Sequence, residues 1–177
     1  MMETADIYTE DRQRTGRTIA RGQRVQPGEY RLVVHACIFN SEGKMLIQQR
    51  QPWKDWPNLW DLSVGGHAVA GETSRQAMAR ELREELGLQW NPEGMRPHLT
   101  INFPTGFDDY YLLSRDVKPE EIVLQAEEVR QARWATQEEI CAMIDDGTFI
   151  PYYKSVIAAL FEMRGQYGSR SSERGRR

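Results

Sequence analysis

Apolar positions are sparse over the first 29 residues. Short pieces at Asp6-Ile7-Tyr8 and Thr18-Ile19-Ala20 sit among mixed charges, and Pro27-Gly28-Glu29 signals a turn. Residues 1–29 are therefore predicted to be an N-terminal extension with one or two edge strands. From Tyr30 to Phe39 the chain is dense in β-branched and aromatic residues. Asn40-Ser41-Glu42-Gly43 then carries turn chemistry, and Lys44 to Gln49 resumes an apolar run. That pattern predicts a β-hairpin. Arg50 to Asp61, with Pro52, Pro57, Trp53, Trp56 and Trp60, reads as a loop whose large aromatics anchor it to the core. Gly65, Gly66 and Gly71 break the chain before a helical pattern from about Thr73 to Leu86. Residues 96–115 predict a strand pair turning at Thr105-Gly106, and an acidic connection from Asp116 to Glu128 leads to a strand over 129–134. Thr136 followed three residues later by Glu139 forms a capping box opening a helix to Asp146. A last helix is predicted over 151–163. The Gly/Ser/Arg-rich residues 165–177 read as a disordered basic tail. Strands and helices mix without strict alternation, so the class is α+β, or a layered α/β/α sandwich.

Composition narrows the function little. The chain of 177 residues is 40% hydrophobic and 28% charged, which suits one soluble domain. No apolar run approaches the roughly 18 residues of a membrane span, and the N-terminus lacks a secretory signal's apolar stretch. The only cysteines, Cys37 and Cys141, lie far apart; they read as two buried thiols of a cytoplasmic protein, not a disulfide. Net charge is −3. The tail from Arg164 carries five arginines and one glutamate, +4, so the body before it holds −7. An acidic body argues against a nucleic-acid partner and favours a cation among clustered carboxylates.

The candidate chemistry lies in the helix. At about 100° per residue, with Arg80 at zero, Met78, Ala79, Leu82 and Leu86 occupy roughly 160–260° and form the predicted buried stripe. Glu84, Glu81 and Glu85 fall at roughly 40°, 100° and 140°, a second stripe beside the first. Carboxylates at these spacings repel one another and weaken a helix, so a cation should offset them. Hard divalent ions such as Mg²⁺ or Mn²⁺ suit carboxylate oxygens and bridge to phosphates. Gly87 is placed to end the helix as a left-handed cap.

The full pattern is G-x5-E-x7-R-E-U-x-E-E-x-G-U, with U aliphatic. Gly66, Glu72, Arg80, Glu81, Leu82, Glu84, Glu85, Gly87 and Leu88 match it. Chance would produce it in a chain of this length on the order of 10⁻⁷ of the time. It resembles the Nudix box, and the layout over residues 30–164 is similar to the Nudix hydrolase domain. The resemblance implies a mixed-sheet α/β/α sandwich and a metal-dependent hydrolase that cuts a pyrophosphate linkage in a small, nucleoside-diphosphate-linked or similar substrate. It implies metal ligands at Glu81, Glu84, Glu85 and the Gly65 carbonyl. It implies structural roles for Gly66, Glu72 and Gly87, catalytic roles for Arg80, which orients the carboxylates, and Glu84, and a general base on a loop before the last strand. That loop offers Glu127 and Glu128. Substrate-binding candidates are Arg50 and His67. A homodimer is possible by the same resemblance.

Phe39-Asn40, Gln49-Arg50, Trp56-Pro57, Trp60-Asp61 and Gly66-His67 resemble the branch that includes isopentenyl-diphosphate isomerases. That implies a rival activity, allylic isomerisation. The isomerases, however, use a cysteine where this chain has Gly65, and histidines upstream where this chain has none before His35. A third alternative is a non-catalytic nucleotide-binding relative. His35 and Cys37 are predicted to be core residues. Phe103, Phe107, Tyr110 and Tyr111 lie on the second strand pair, half of which must face inward.

Overall fold

A computed structural model describes residues 3–170. Four positions of strand β3 (Arg31–Phe39), Leu32, Val34, Ala36 and Ile38, point to one core, while Cys37 and Phe39 point to another. A strand apolar on both faces must be covered on both, and it lies in the middle of the sheet. Its neighbours are β4 (Met45–Arg50), β6 (Val64–His67) and β8 (Gly106–Ser114). Outer strands are β5 (Trp60–Asp61), β7 (Leu99–Phe103) and β9 (Val129–Ala135). The β3–β8 pair is parallel and the other pairs are antiparallel, so the sheet is mixed. Helix α1 (Ser74–Leu86) covers one face through Ala77, Met78, Leu82 and Leu86. Helices α2 (Gln137–Asp145) and α3 (Lys154–Met163) cover the other through Ile140, Ile157, Leu160 and Phe161. The result is the expected α+β sandwich.

Several expectations need correction. The hairpin at residues 30–49 is paired only where it closes, at Phe39 and Met45. Beyond that point β3 and β4 part, and β6 takes the place beside β3 (His35 with Gly65, Val34 with Gly66). Gly65 and Gly66 therefore lie inside a strand and do not interrupt the chain. The N-terminal segment carries the two short strands expected of it, apart from the main sheet. Its strands β1 (Thr4–Tyr8) and β2 (Arg14–Ala20) form a separate two-stranded sheet, held by reciprocal backbone bonds between Tyr8 and Tyr30. Trp53 and Trp56 are exposed. Trp53 Nε1 donates to the Glu127 carbonyl at 2.9 Å, joining loop to loop instead of loop to core. Cys141 is only half buried, and both cysteines are free. The last helix begins at Lys154, not Pro151. Of the supposed tail, Tyr167 stacks on His98 with ring centroids 4.1 Å apart; residues 171–177 lie outside the described residues.

The hairpin β1–β2 is stitched to the box at both ends. Ala70 N–H donates to Thr4 O at 2.8 Å, Gly71 N–H donates to Asp6 Oδ2 at 2.8 Å, and Arg14 donates to Glu72 O. In the turn between the two strands, Arg12 reaches Asp109, a buried carboxylate that also accepts from Thr100 (2.6 Å) and from Ser74 (2.6 Å) at the start of α1.

Candidate active site

The box folds as strand, loop and helix. At the start of α1, Gln76 Oε1 accepts the Thr73 N–H at 2.9 Å. At its end, Gly87 sits at φ 71°, donates to Arg83 O at 3.1 Å, and leaves no room for a Cβ against Val123. Both ends thus have partners for their otherwise orphaned backbone groups. The buried arc is wider than predicted. Ala77 and Glu85 are buried and Ala79 only partly so, which turns the acidic stripe towards β6 and β3 and away from bulk solvent.

Arg80 organises the acids. Its Nε and Nη2 donate to the two oxygens of Glu72 at 2.8 and 3.1 Å, and Nη2 also donates to His67 O at 2.9 Å. Nη1 donates to Glu81 Oε1 and to Glu84 Oε2, both at 2.9 Å. Glu72 in turn accepts from Val69 N–H at 2.9 Å, which closes the loop. The planar fork of arginine suits such a multiple hold; an ammonium could not reproduce it.

A cleft of about 630 Å³ opens beside α1, in the size range of small-molecule sites. Glu81, Glu84 and Glu85 all line it, as do Gly65, Gly66, Arg50, His67, Arg80 and Glu128. Glu127 does not: it is exposed and contributes only its carbonyl to Trp53. Of the two loop glutamates, Glu128 is the one that faces the cleft. It pairs with Lys54 and lies 3.7 Å from Arg21. Arg50 faces the cleft but is already engaged, with Asp61 at 3.3 Å and Asp55 O at 2.7 Å.

Both glycines earmarked on the sequence sit close against side chains of the site. A Cβ at Gly66 would fall on the Glu81 carboxylate. A Cβ at Gly65 would stand 3.0 Å from His35 Nδ1. His35 is a packed residue, stacked on Tyr110 at 4.7 Å with Nε2 3.3 Å from Asp108, but it also lines the cleft. Of the four aromatics on β7 and β8, only Phe103 reaches the cleft; Phe107, Tyr110 and Tyr111 are buried.

The electrostatics of the acids are unbalanced. Burial raises the pKa of Glu85 well above the usual carboxylate range, and Glu81, Asp61 and Glu128 raise it further. Among the described residues its carboxylate has a single side-chain donor, Gln48 Nε2 at 2.9 Å, and the Gln48 Oε1 atom is buried without a partner. Burial likewise lifts Glu81 to about 6, against the pull of Arg80. His67 is exposed, yet it lies within the concave wall; crowding by protein, then Arg31 and Arg21, lower its pKa to about 4. Among the described residues the acids do not converge into a closed three-donor cage. They are hard oxygen donors on one open wall, with a buried carboxylate that forms no ion pair among the described residues and feels only the more distant Arg50, and that donor set fits a divalent ion.

Sequence reasoning missed the hairpin's part in the site. Glu3, Ile19 and Arg21 form one wall of the cleft, and no local signal near those residues points there. Just beyond the ends of β1 and β2, Arg21 pairs with Glu3 at 2.7 Å.

The fold and site define an enzyme built as a mixed-sheet sandwich with an acidic helix bordering a small-molecule cleft. The family model described as the NUDIX domain matches residues 29–157. This chain belongs to the Nudix hydrolase family. It is 48% identical over 153 residues to an uncharacterised Nudix hydrolase of Listeria monocytogenes, covering 86% of this chain and 90% of that one. A solved structure from Deinococcus radiodurans superposes with a TM-score of 0.72 at 28% identity, over 93% of this chain and all of that one. An isopentenyl-diphosphate Δ-isomerase of Shigella flexneri is 39% identical, but over only 62 residues, 34% of each chain.

Proposed function

We propose that the chain hydrolyses a pyrophosphate linkage in a small, nucleoside-diphosphate-linked or similar diphosphate substrate, with Mg²⁺ or Mn²⁺ as cofactor. The observation that carries this reading is Glu85: a buried carboxylate beside Glu81, facing the cleft, whose burial and acidic neighbours outweigh the pull of Arg50, the one cation acting on it among the described residues. Glu81, Glu84, Glu85 and the Gly65 carbonyl would hold the metal, which when bound neutralises phosphate charge and lowers the pKa of attacking water.

The protein's own part is positioning. Arg80 fixes Glu81 and Glu84 relative to the loop that carries His67 and Glu72. Arg50 and Lys54 supply positive charge where a diphosphate would lie, and His67, neutral at pH 7, offers a hydrogen bond without adding charge. Glu128, which lines the cleft, would accept the proton of the attacking water. The new P–O bond forms as the anhydride P–O bond breaks, and the second phosphate departs as the leaving group.

The isomerase reading fares worse. Its proton-transfer cysteine would stand at Gly65, where any Cβ crowds His35. A non-catalytic role leaves the intact acidic stripe without a purpose. Two free cysteines suit a reducing cytoplasm, and no described helix is long and apolar enough to cross a membrane. The test is phosphate or nucleoside monophosphate release from a panel of diphosphate compounds with Mg²⁺ or Mn²⁺. Turnover is expected to collapse in Glu84→Gln and Glu85→Gln; unchanged turnover in both would refute the assignment.

A further inference from the structure

Among the described residues, five cationic side chains line the cleft, and four of them are already paired. Arg21 is held by Glu3, Arg50 by Asp61, Lys54 by Glu128, and Arg80 by Glu72, Glu81 and Glu84. Arg31 is different. Among the described residues it forms no ion pair, and its Nε is shielded from solvent without any hydrogen-bond partner. A shielded guanidinium nitrogen without an acceptor is costly unless something else supplies the acceptor.

Its position says what that acceptor would belong to. Arg31, Val33 and His35 alternate along β3 and present one row to the cleft. Val33 pairs with His67, next to Gly66, on which the Glu81 carboxylate rests. Arg31 lies two residues, about 7 Å, further along that row. It therefore stands further along the cleft wall than Gly65 and Gly66, which pair with His35 and Val34, and so beyond the proposed point of cleavage.

We infer that Arg31 is a specificity-determining residue that binds a phosphate beyond the diphosphate being cut. The preferred substrate class is then a chain of three or more phosphates, in preference to a diphosphate ending in a neutral sugar. This rests on the proposed hydrolase reading for its meaning, but not for its test. The guanidinium fork matches phosphate oxygens in a two-pronged hydrogen bond, and loss of one such charged contact weakens binding by about tenfold or more.

The experiment is calorimetric titration of the intact protein, in Mg²⁺, with inorganic pyrophosphate and inorganic tripolyphosphate. Wild type is expected to bind tripolyphosphate at least about tenfold more tightly. Arg31→Gln should shrink that preference to about twofold while pyrophosphate affinity changes little, and Arg31→Lys should keep part of it. A wild type without the preference overturns the inference, whether or not the variants fold. So does an Arg31→Gln protein that keeps the preference, or that loses both ligands equally. Binding needs no turnover. A protein that shows the preference yet hydrolyses nothing refutes the hydrolase reading and leaves Arg31's role standing; one that hydrolyses diphosphates without the preference does the reverse.

Discussion

The Glu81 carboxylate rests directly on Gly66, so closely that a Cβ on the glycine would fall on its Oε1. A strand glycine ordinarily weakens a sheet; here it makes room for a functional side chain. Gly66→Ala is accordingly expected to push Glu81 out of place and lower turnover by about 10²-fold, since small misplacements of a reacting group cost that much. Circular dichroism should stay unchanged. Full activity in a folded Gly66→Ala protein would show that the Glu81 position is not needed.

Arg80 joins Glu72, Glu81, Glu84 and the His67 carbonyl through one guanidinium group. Arg80→Lys keeps the charge and loses the fork. It should cut kcat by about 10²-fold, with a much smaller change in KM, because the loss concerns orientation and not substrate contact. Steady-state kinetics on any cleaved substrate separates the two; a pure KM effect would place Arg80 on the substrate instead.

Glu85 and Glu81 both have pKa values raised above the unfolded value of 4.5, Glu81 to about 6. A raised carboxylate pKa means the folded state holds its proton more tightly. That contribution is fully present below pH 4.5 and is lost as pH rises through the folded values. Metal-free wild type should therefore lose stability between pH 5 and pH 8 more steeply than Glu85→Gln. At pH 8 the variant should be the more stable, and at pH 5 the difference should narrow. Urea denaturation in chelator at the two pH values decides it; parallel curves would mean Glu85 is not strained by its burial.

Asp109 is fully buried and joins Arg12 of the N-terminal segment to Thr100 and Ser74. Asp109→Ala strands several donors and should cost about 3 kcal/mol. Arg12→Ala removes two of the four hydrogen bonds to that carboxylate, leaves those from Thr100 and Ser74, and should cost less, about 2 kcal/mol. Denaturant midpoints give both values, and equal small effects would mean that the hairpin is not held through this acid.

The box was legible in the sequence because its parts share one helix and one loop, where spacing alone determines which side chains meet. Gly87 as a left-handed cap and Thr136 with Glu139 as a capping box were legible for the same reason. The hairpin's wall was not. It depends on contacts such as Asp6 with Gly71 and Arg12 with Asp109, 65 and 97 residues apart, which leave no local pattern. The parting of β3 and β4 was hidden too: Gly65 and Gly66 read as punctuation, when they lie in β6, packed closely against His35 and Glu81.

The claim on which the rest depends is that Glu81, Glu84 and Glu85 bind a divalent ion in the cleft. Electron paramagnetic resonance of Mn²⁺ titrated into wild type and into Glu85→Gln measures this without any substrate. Wild type should bind Mn²⁺ at millimolar concentrations or below, and the folded Glu85→Gln protein at least about tenfold more weakly. Equal Mn²⁺ binding by the two proteins, or none by wild type, would contradict the claim.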